Sequence, residues 1–115
     1  MELQVEEINQ QVRCVRLTGR LDAPNADRIG VPVTAAVSAP GRDAVVDLAG
    51  VDFLASMGIR LLIASARSVQ QRGRRLVMFG AQELVATVLT EGAIDQIIPL
   101  VATRDEALAL VANRS

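Results

Sequence analysis

Histidine is missing altogether from the 115 residues, so the side chain most often used as a general base or metal ligand near neutral pH is not available. Cysteine occurs once, as Cys14, and a lone thiol forms no internal disulfide. Neither sign of charge prevails: 12 basic residues face 13 acidic ones, which leaves no electrostatic footprint for nucleic acid. The arginine-rich run RSVQQRGRR, residues 67–75, has no interleaved aromatics for stacking on bases and reads as a solvated helix end. Long apolar runs are lacking too. LLIAS and IIPLVA both stop short of the roughly 20 residues that span a bilayer, so no membrane insertion is expected. The acidic start MELQVEEINQ has none of the sections of a signal peptide. With the single cysteine, this points to a reducing cytoplasm. A glycine-rich phosphate cradle is absent as well, and neither a cofactor nor a metal is expected.

What the chain does have is apolar residues, 50% of the total, enough at this length for one compact core and too little for two. Residues 1–115 are read as a single domain without repeats, low-complexity tracts or linkers. LQVEEI and VRCVRLTG set charged residues at near period two among Val, Leu and Ile, the pattern of strands with one wetter face. Asn9 to Gln11 would turn a hairpin between them. A helix is expected over LDAPNADRIGVPVTAAVSA, with Asp22 as its N-cap and Pro24 in its first turn, although Gly30 and Pro32 weigh against it. DAVVDLAGV is a continuous apolar run with one acid, Asp47, as in a central strand covered on both faces.

From Ser56 the period changes to about 3.6. Ile59, Leu62, Ile63, Ala66 and Val69 gather on one helix face for burial against a sheet, and Gly73 ends that helix. Met57, Leu61, Ala64 and Ser68 project to the opposite side, an apolar stripe between Arg60 and Arg67 that suits docking to another protein. Ser56, just before the helix, is expected to cap it through a hydrogen bond worth about 1 kcal/mol. RRLVMFG returns to strand chemistry. In AQELVATVLTEG, Leu84, Val85, Val88 and Leu89 share one side and Gly92 is the expected left-handed stop. QIIPL would be a short edge strand, and Thr103 and Glu106 are spaced as a capping box for the closing helix. This rhythm gives an α/β fold: a mixed sheet of four to five strands with about four helices, mainly on one side. Asp22 and Asp47 could be imagined as paired carboxylates for acid and base work, but capping and loop ordering account for them. No catalytic residue is expected.

In this order and spacing, LTGRLDAPNADRI, VVDLAGVDFLASMGIRLL, RRLVMFG and GAIDQIIPLVATRDEALALV resemble the STAS domain. Over nearly its full length the chain is similar to bacterial anti-sigma factor antagonists. The most specific parts are Gly19, Leu21 and Asp22, the pair Asp47 and Leu48, and the turn from Ser56 to Gly58. The resemblance implies a STAS-like fold and a partner that is an anti-sigma factor of the serine-kinase-like type, whose capture frees a sigma factor. Many such antagonists are switched off when that kinase phosphorylates a serine in the turn. They read Asp, Ser, Ser, Gly, with the acceptor just before the glycine.

Here the four positions are Ala55, Ser56, Met57 and Gly58. The acceptor position holds methionine, whose thioether takes no phosphoryl group, and Ala55 replaces the preceding acid. Ser56 is left as the candidate phosphoacceptor. The partner-binding residues expected are Asp22, Ala55, Ser56, Met57, Gly58, Arg60, Leu61 and Ala64. The alternative is a regulatory STAS subunit of another assembly, such as a lipid-transport or signalling complex.

Overall fold

The computed structural model describes residues 1–113. Its elements are β1 (Glu2–Glu7), β2 (Val12–Leu21), α1 (Ala23–Val37), β3 (Asp43–Leu54), α2 (Ser56–Gln71), β4 (Leu76–Phe79), α3 (Glu83–Glu91), β5 (Leu100–Val101) and α4 (Arg104–Ala112). The last strand lies later than the expected QIIPL, because Gln96 belongs to a 3-10 turn and Pro99, without an N–H, precedes the pairing. One five-stranded sheet runs in the order β1-β2-β3-β4-β5. The β1–β2 hairpin is antiparallel and the remaining pairs are parallel, so the sheet is mixed, with β3 at its centre. In the hairpin turn, Asn9 Oδ1 accepts from the N–H groups of Gln11 (2.7 Å) and Val12 (3.0 Å), the local bond that makes Asn a turn residue.

Alternation along the strands sorts side chains to two faces. Val15, Leu17, Val46, Leu48, Leu76 and Met78 point to the face covered by α1, α2 and α3. Val12, Cys14, Val45, Val77 and Phe79 point to the other, where Ala107 and Val111 of α4 cover them. Three helices therefore lie on one side and one on the other. Of the expected capping box at α4 the N-cap half is present, Thr103 Oγ1 accepting from the Glu106 N–H at 3.2 Å, while the Glu106 carboxylate accepts from the Thr103 hydroxyl at 3.1 Å. At the same end Arg104 pairs with Glu6 at 2.7 Å, which holds the Glu6 carboxyl below its usual range, the hydrogen bond to Arg104 being the main cause.

Helix α1 persists through Gly30 and Pro32. Asp22 caps it, its Oδ1 accepting from the Asn25 N–H at 3.1 Å, and Pro24 lies in the first turn. An interior proline costs about 3 kcal/mol, but Ile29, Val33 and Val37 are each no more than 7% exposed. Burying one such side chain contributes about 1.5–3 kcal/mol, so three outweigh the proline.

Helix α2 departs from its sequence reading in rotation. Its buried residues are Gly58, Leu61, Leu62, Ser65, Ala66 and Val69, while Ile59 and Ile63 are only partly buried. Leu61 is thus core and not part of an outward stripe. The cause is α1, which lies beside α2 on the same sheet face and closes its flank: a Cβ on Gly30 of α1 would sit 3.7 Å from Leu61 Cδ1. Ser68 also turns toward α1, its hydroxyl 2.7 Å from that of Ser38. Of the expected stripe only Met57 and Ala64 remain exposed.

Ser65 is 1% exposed and its hydroxyl has no hydrogen-bond partner among the described residues. Removing a buried, unpaired polar group relieves its desolvation cost. Ser65→Ala should therefore raise stability by about 1 kcal/mol, read as a higher urea midpoint at unchanged slope.

Two other expectations are corrected. Gly92 after α3 has φ −82° and the left-handed residue is Ala93, at φ 58°, because the reversal falls at the N-cap of the 3-10 turn Ile94–Gln96, one residue after the glycine. Leu84 is 61% exposed and leaves the buried side of α3 to Val85 and Leu89. The arginine-rich segment is solvated only in part. Arg67, Arg72 and Arg75 are exposed, and Arg75 also donates to the carbonyls of Leu110 (2.8 Å) and Asn113 (2.9 Å) at the end of α4. Arg74 donates to the Gln11 carbonyl at 3.2 Å, and its Nε lies 3.4 Å from Asp43.

Candidate functional site

The C-terminal ends of the parallel strands β2 and β3 converge on the start of α2. In register, Leu21 pairs with Leu54, and the Ala55 N–H donates to the Leu21 carbonyl at 3.0 Å. Ala55 is extended, with φ −105° and ψ 173°, and its carbonyl accepts from the Ile59 N–H at 3.0 Å. That makes Ala55 the N-cap and Ser56 the first helical residue. No side-chain bond caps this end, so the capping role expected of Ser56 is not found. The cap position falls one residue earlier, and the Ser56 hydroxyl is exposed and makes no cap bond among the described residues.

Gly58 is the residue that lets α2 come this close. A Cβ there would lie 2.6 Å from Leu21 Cγ, 2.7 Å from the Leu21 carbonyl oxygen and 2.9 Å from Leu54 Cδ1, all well inside van der Waals contact. The glycine thus sets the first turn of α2 against the end of β2.

Beside this turn, Asp22 is both the cap of α1 and a partner of Arg20, 3.5 Å away. The Arg20 guanidinium sits 4.1 Å above the Phe53 ring centroid, and its carbonyl accepts from Asn25 Nδ2 at 2.8 Å. Asn25 Oδ1 in turn accepts from Arg28 at 2.7 Å. These bonds fix the loop between β2 and α1 against the end of β3.

Between α1 and α2 runs an open groove of about 550 Å³. Asp27, Gly30 and Val31 line it from α1, and Met57, Arg60 and Leu61 from α2. Leu61 forms part of its floor and is otherwise buried. Val31 is 81% exposed and Met57 43%, an apolar rim at the mouth. Asp27 and Arg60 add one charge of each sign, neither ion-paired among the described residues. Val31 and Asp27 were not singled out in the sequence, yet Val31 is out of phase with the Ile29, Val33 and Val37 stripe, which is the signal that could have found it.

The structure thus brings together Asp22, Ala55, Ser56, Met57, Gly58 and Arg60. Leu61 lies beneath them, and Ala64 is exposed two turns along α2, outside the groove lining. Asp22 and Asp47 are not brought together. Asp47 is in register with Arg16, six positions before Asp22, about 20 Å back along the strand direction. Its carboxylate is spent locally, on Arg16 Nε at 3.1 Å and the Ala49 N–H at 2.9 Å. Among the described residues no group of His, Cys, Asp or Glu is placed to hold a metal ion, and no helix is long and apolar enough to cross a membrane.

Comparison with known proteins agrees with this architecture. The STAS domain model matches residues 4–107. BtrV of Bordetella bronchiseptica, a candidate anti-sigma factor antagonist, is 26% identical over 110 residues, covering 95% of this chain and 93% of its own length. Rv2638 of Mycobacterium tuberculosis, a candidate anti-anti-sigma factor, is 29% identical over 93 residues, which are 78% of this chain and only 62% of that protein. Among solved structures, an anti-sigma factor antagonist from Mycobacterium paratuberculosis superposes with a TM-score of 0.83 at 26% identity, covering 97% of this chain and 94% of the other.

Proposed function

The chain belongs to the STAS domain family, and from that premise we propose that it is an anti-sigma factor antagonist, one that captures an anti-sigma factor of the kinase type and so frees a sigma factor. The observation that carries this reading is the surface at the start of α2. Met57 and Val31 are exposed there beside Asp27 and Arg60, an apolar rim with charges free to pair across an interface. The names of the relatives support an anti-sigma factor as the partner. Capture of proteins from a lysate of the source organism, followed by mass spectrometry, tests it. The expected catch is a kinase-like ATPase that also binds a sigma factor. Recovery of a transport or other signalling assembly, with no sigma-binding component, would replace this reading by that of a regulatory subunit.

The docked kinase should find no proper acceptor on this chain. Met57 lacks a hydroxyl, and Ser56, one residue earlier, is displaced by up to about 3.8 Å along the chain and turned by about 100° around the helix. Phosphoryl transfer depends on in-line positioning. With the captured kinase and ATP, intact-mass analysis should show little phosphate on the wild type and much more on Met57→Ser. Because Ser56 makes no cap bond, Ser56→Ala should change stability by less than about 0.5 kcal/mol. Rapid stoichiometric phosphate on wild-type Ser56 would make that residue the switch and contradict the account.

A further inference from the structure

Four sulfur atoms are present in the described chain, and their environments differ sharply. Met78 is fully buried in β4 and Cys14 is 1% exposed. Burial raises the Cys14 thiol pKa, keeping it protonated and a poor nucleophile. Met1 is partly buried against the core. Met57, at 43% exposure, is the most exposed of the four sulfur-bearing residues, and it stands at the groove rim on the first turn of α2.

We propose that Met57 is a reversible oxidation site, at which a hydroperoxide converts the thioether to a sulfoxide and thereby releases a partner docked on the α1–α2 groove. A sulfur lone pair attacks the terminal peroxide oxygen. The S–O bond forms as the O–O bond breaks, sulfur loses two electrons, and the proton of that oxygen passes to the departing fragment, which leaves as water or an alcohol. The way back uses a methionine sulfoxide reductase, which oxidises two thiols to a disulfide and releases the oxygen as water.

The consequences follow from where the sulfur lies. Outside the core, a sulfoxide at Met57 stays hydrated and leaves the fold intact. Against an apolar partner surface the same S=O dipole must shed water without a matching donor, which is costly. Release of the partner rests on the docking reading above, whereas selective oxidation does not.

Two measurements on the intact chain separate these claims. In the first, the protein is treated with graded hydrogen peroxide and its peptides are weighed. Met57 should gain oxygen at least about tenfold faster than Met78, with unchanged circular dichroism, and reductases of both stereospecificities should reverse the gain. Equal rates at the two residues, or unfolding in step with Met57 oxidation, would overturn the site. In the second, binding of the purified kinase-type anti-sigma factor is measured before and after peroxide. Oxidised wild type should bind at least about tenfold more weakly, a loss of about 1.4 kcal/mol, and recover with the reductases. Met57→Leu, whatever its own starting affinity, should show no change on peroxide treatment. Undiminished binding by oxidised wild type would overturn the switch and leave the docking reading standing. No binding by the untreated chain would overturn the docking reading and the switch together.

Discussion

Gly58→Ala should destabilise the protein by about 3 kcal/mol, the upper end of what an added methyl costs in a packed site. Helix propensity alone points the other way, since alanine is favoured over glycine in a helix by about 1 kcal/mol. Sterics decide the sign. The new methyl would meet the Leu21 carbonyl oxygen at 2.7 Å and the Leu21 and Leu54 side chains at 2.6 and 2.9 Å, and the carbonyl is backbone that already accepts from the Ala55 N–H. It cannot retreat without opening the junction between β2 and α2. Gly30→Ala is the internal control. It is also helical, its methyl would meet only Leu61 Cδ1 at 3.7 Å, and it should gain up to about 1 kcal/mol. Urea titrations of both variants check the pair; equal effects would mean that propensity, not the close approach at Gly58, controls this turn.

Leu61→Glu should leave the chain largely unfolded. Leu61 is 9% exposed, so the substitution loses the packing of a core leucine, about 2–5 kcal/mol, and places a carboxylate where it has no partner. The sum rivals the 5–15 kcal/mol that is the usual whole stability of a domain. Met57→Glu is the contrasting change. The side chain is 43% exposed and lies on the first turn, where a negative charge is favoured by the helix dipole, so its stability should stay within about 0.5 kcal/mol of wild type. Circular dichroism melts distinguish the two. A cooperative, wild-type-like melt for Leu61→Glu would return that residue to the surface and reopen the position of α1.

These two residues also mark what the sequence could and could not disclose. Strands were legible because Val15 and Leu17 alternate with Cys14 and Arg16, and the same alternation places them on opposite sheet faces. Capping at Asp22 and Thr103 was legible because each bond is made within three residues. The burial of Leu61 was not, since it depends on where α1 comes to rest, a contact between elements with the whole of β3 between them in sequence. Ser56 was misplaced by one residue for a related reason. The frame of α2 is set by the Ala55 bond to the Leu21 carbonyl and by Gly58 against β2, not by the nearest hydroxyl. The groove depends on both the rotation of α2 and the placing of α1. Its α2 wall starts at Met57, and its α1 wall carries Val31, which serves no local helical pattern.

The most direct measurement is release of sigma factor from a preformed complex with the kinase-type anti-sigma factor, followed by fluorescence anisotropy of labelled sigma as the chain is added. Wild-type chain should free sigma in a saturable manner, and Met57→Glu, folded but with a charge on the docking rim, should need at least about tenfold more protein for the same release. A wild-type titration that frees no sigma, or a Met57→Glu titration that overlays it, would contradict the assignment of this surface.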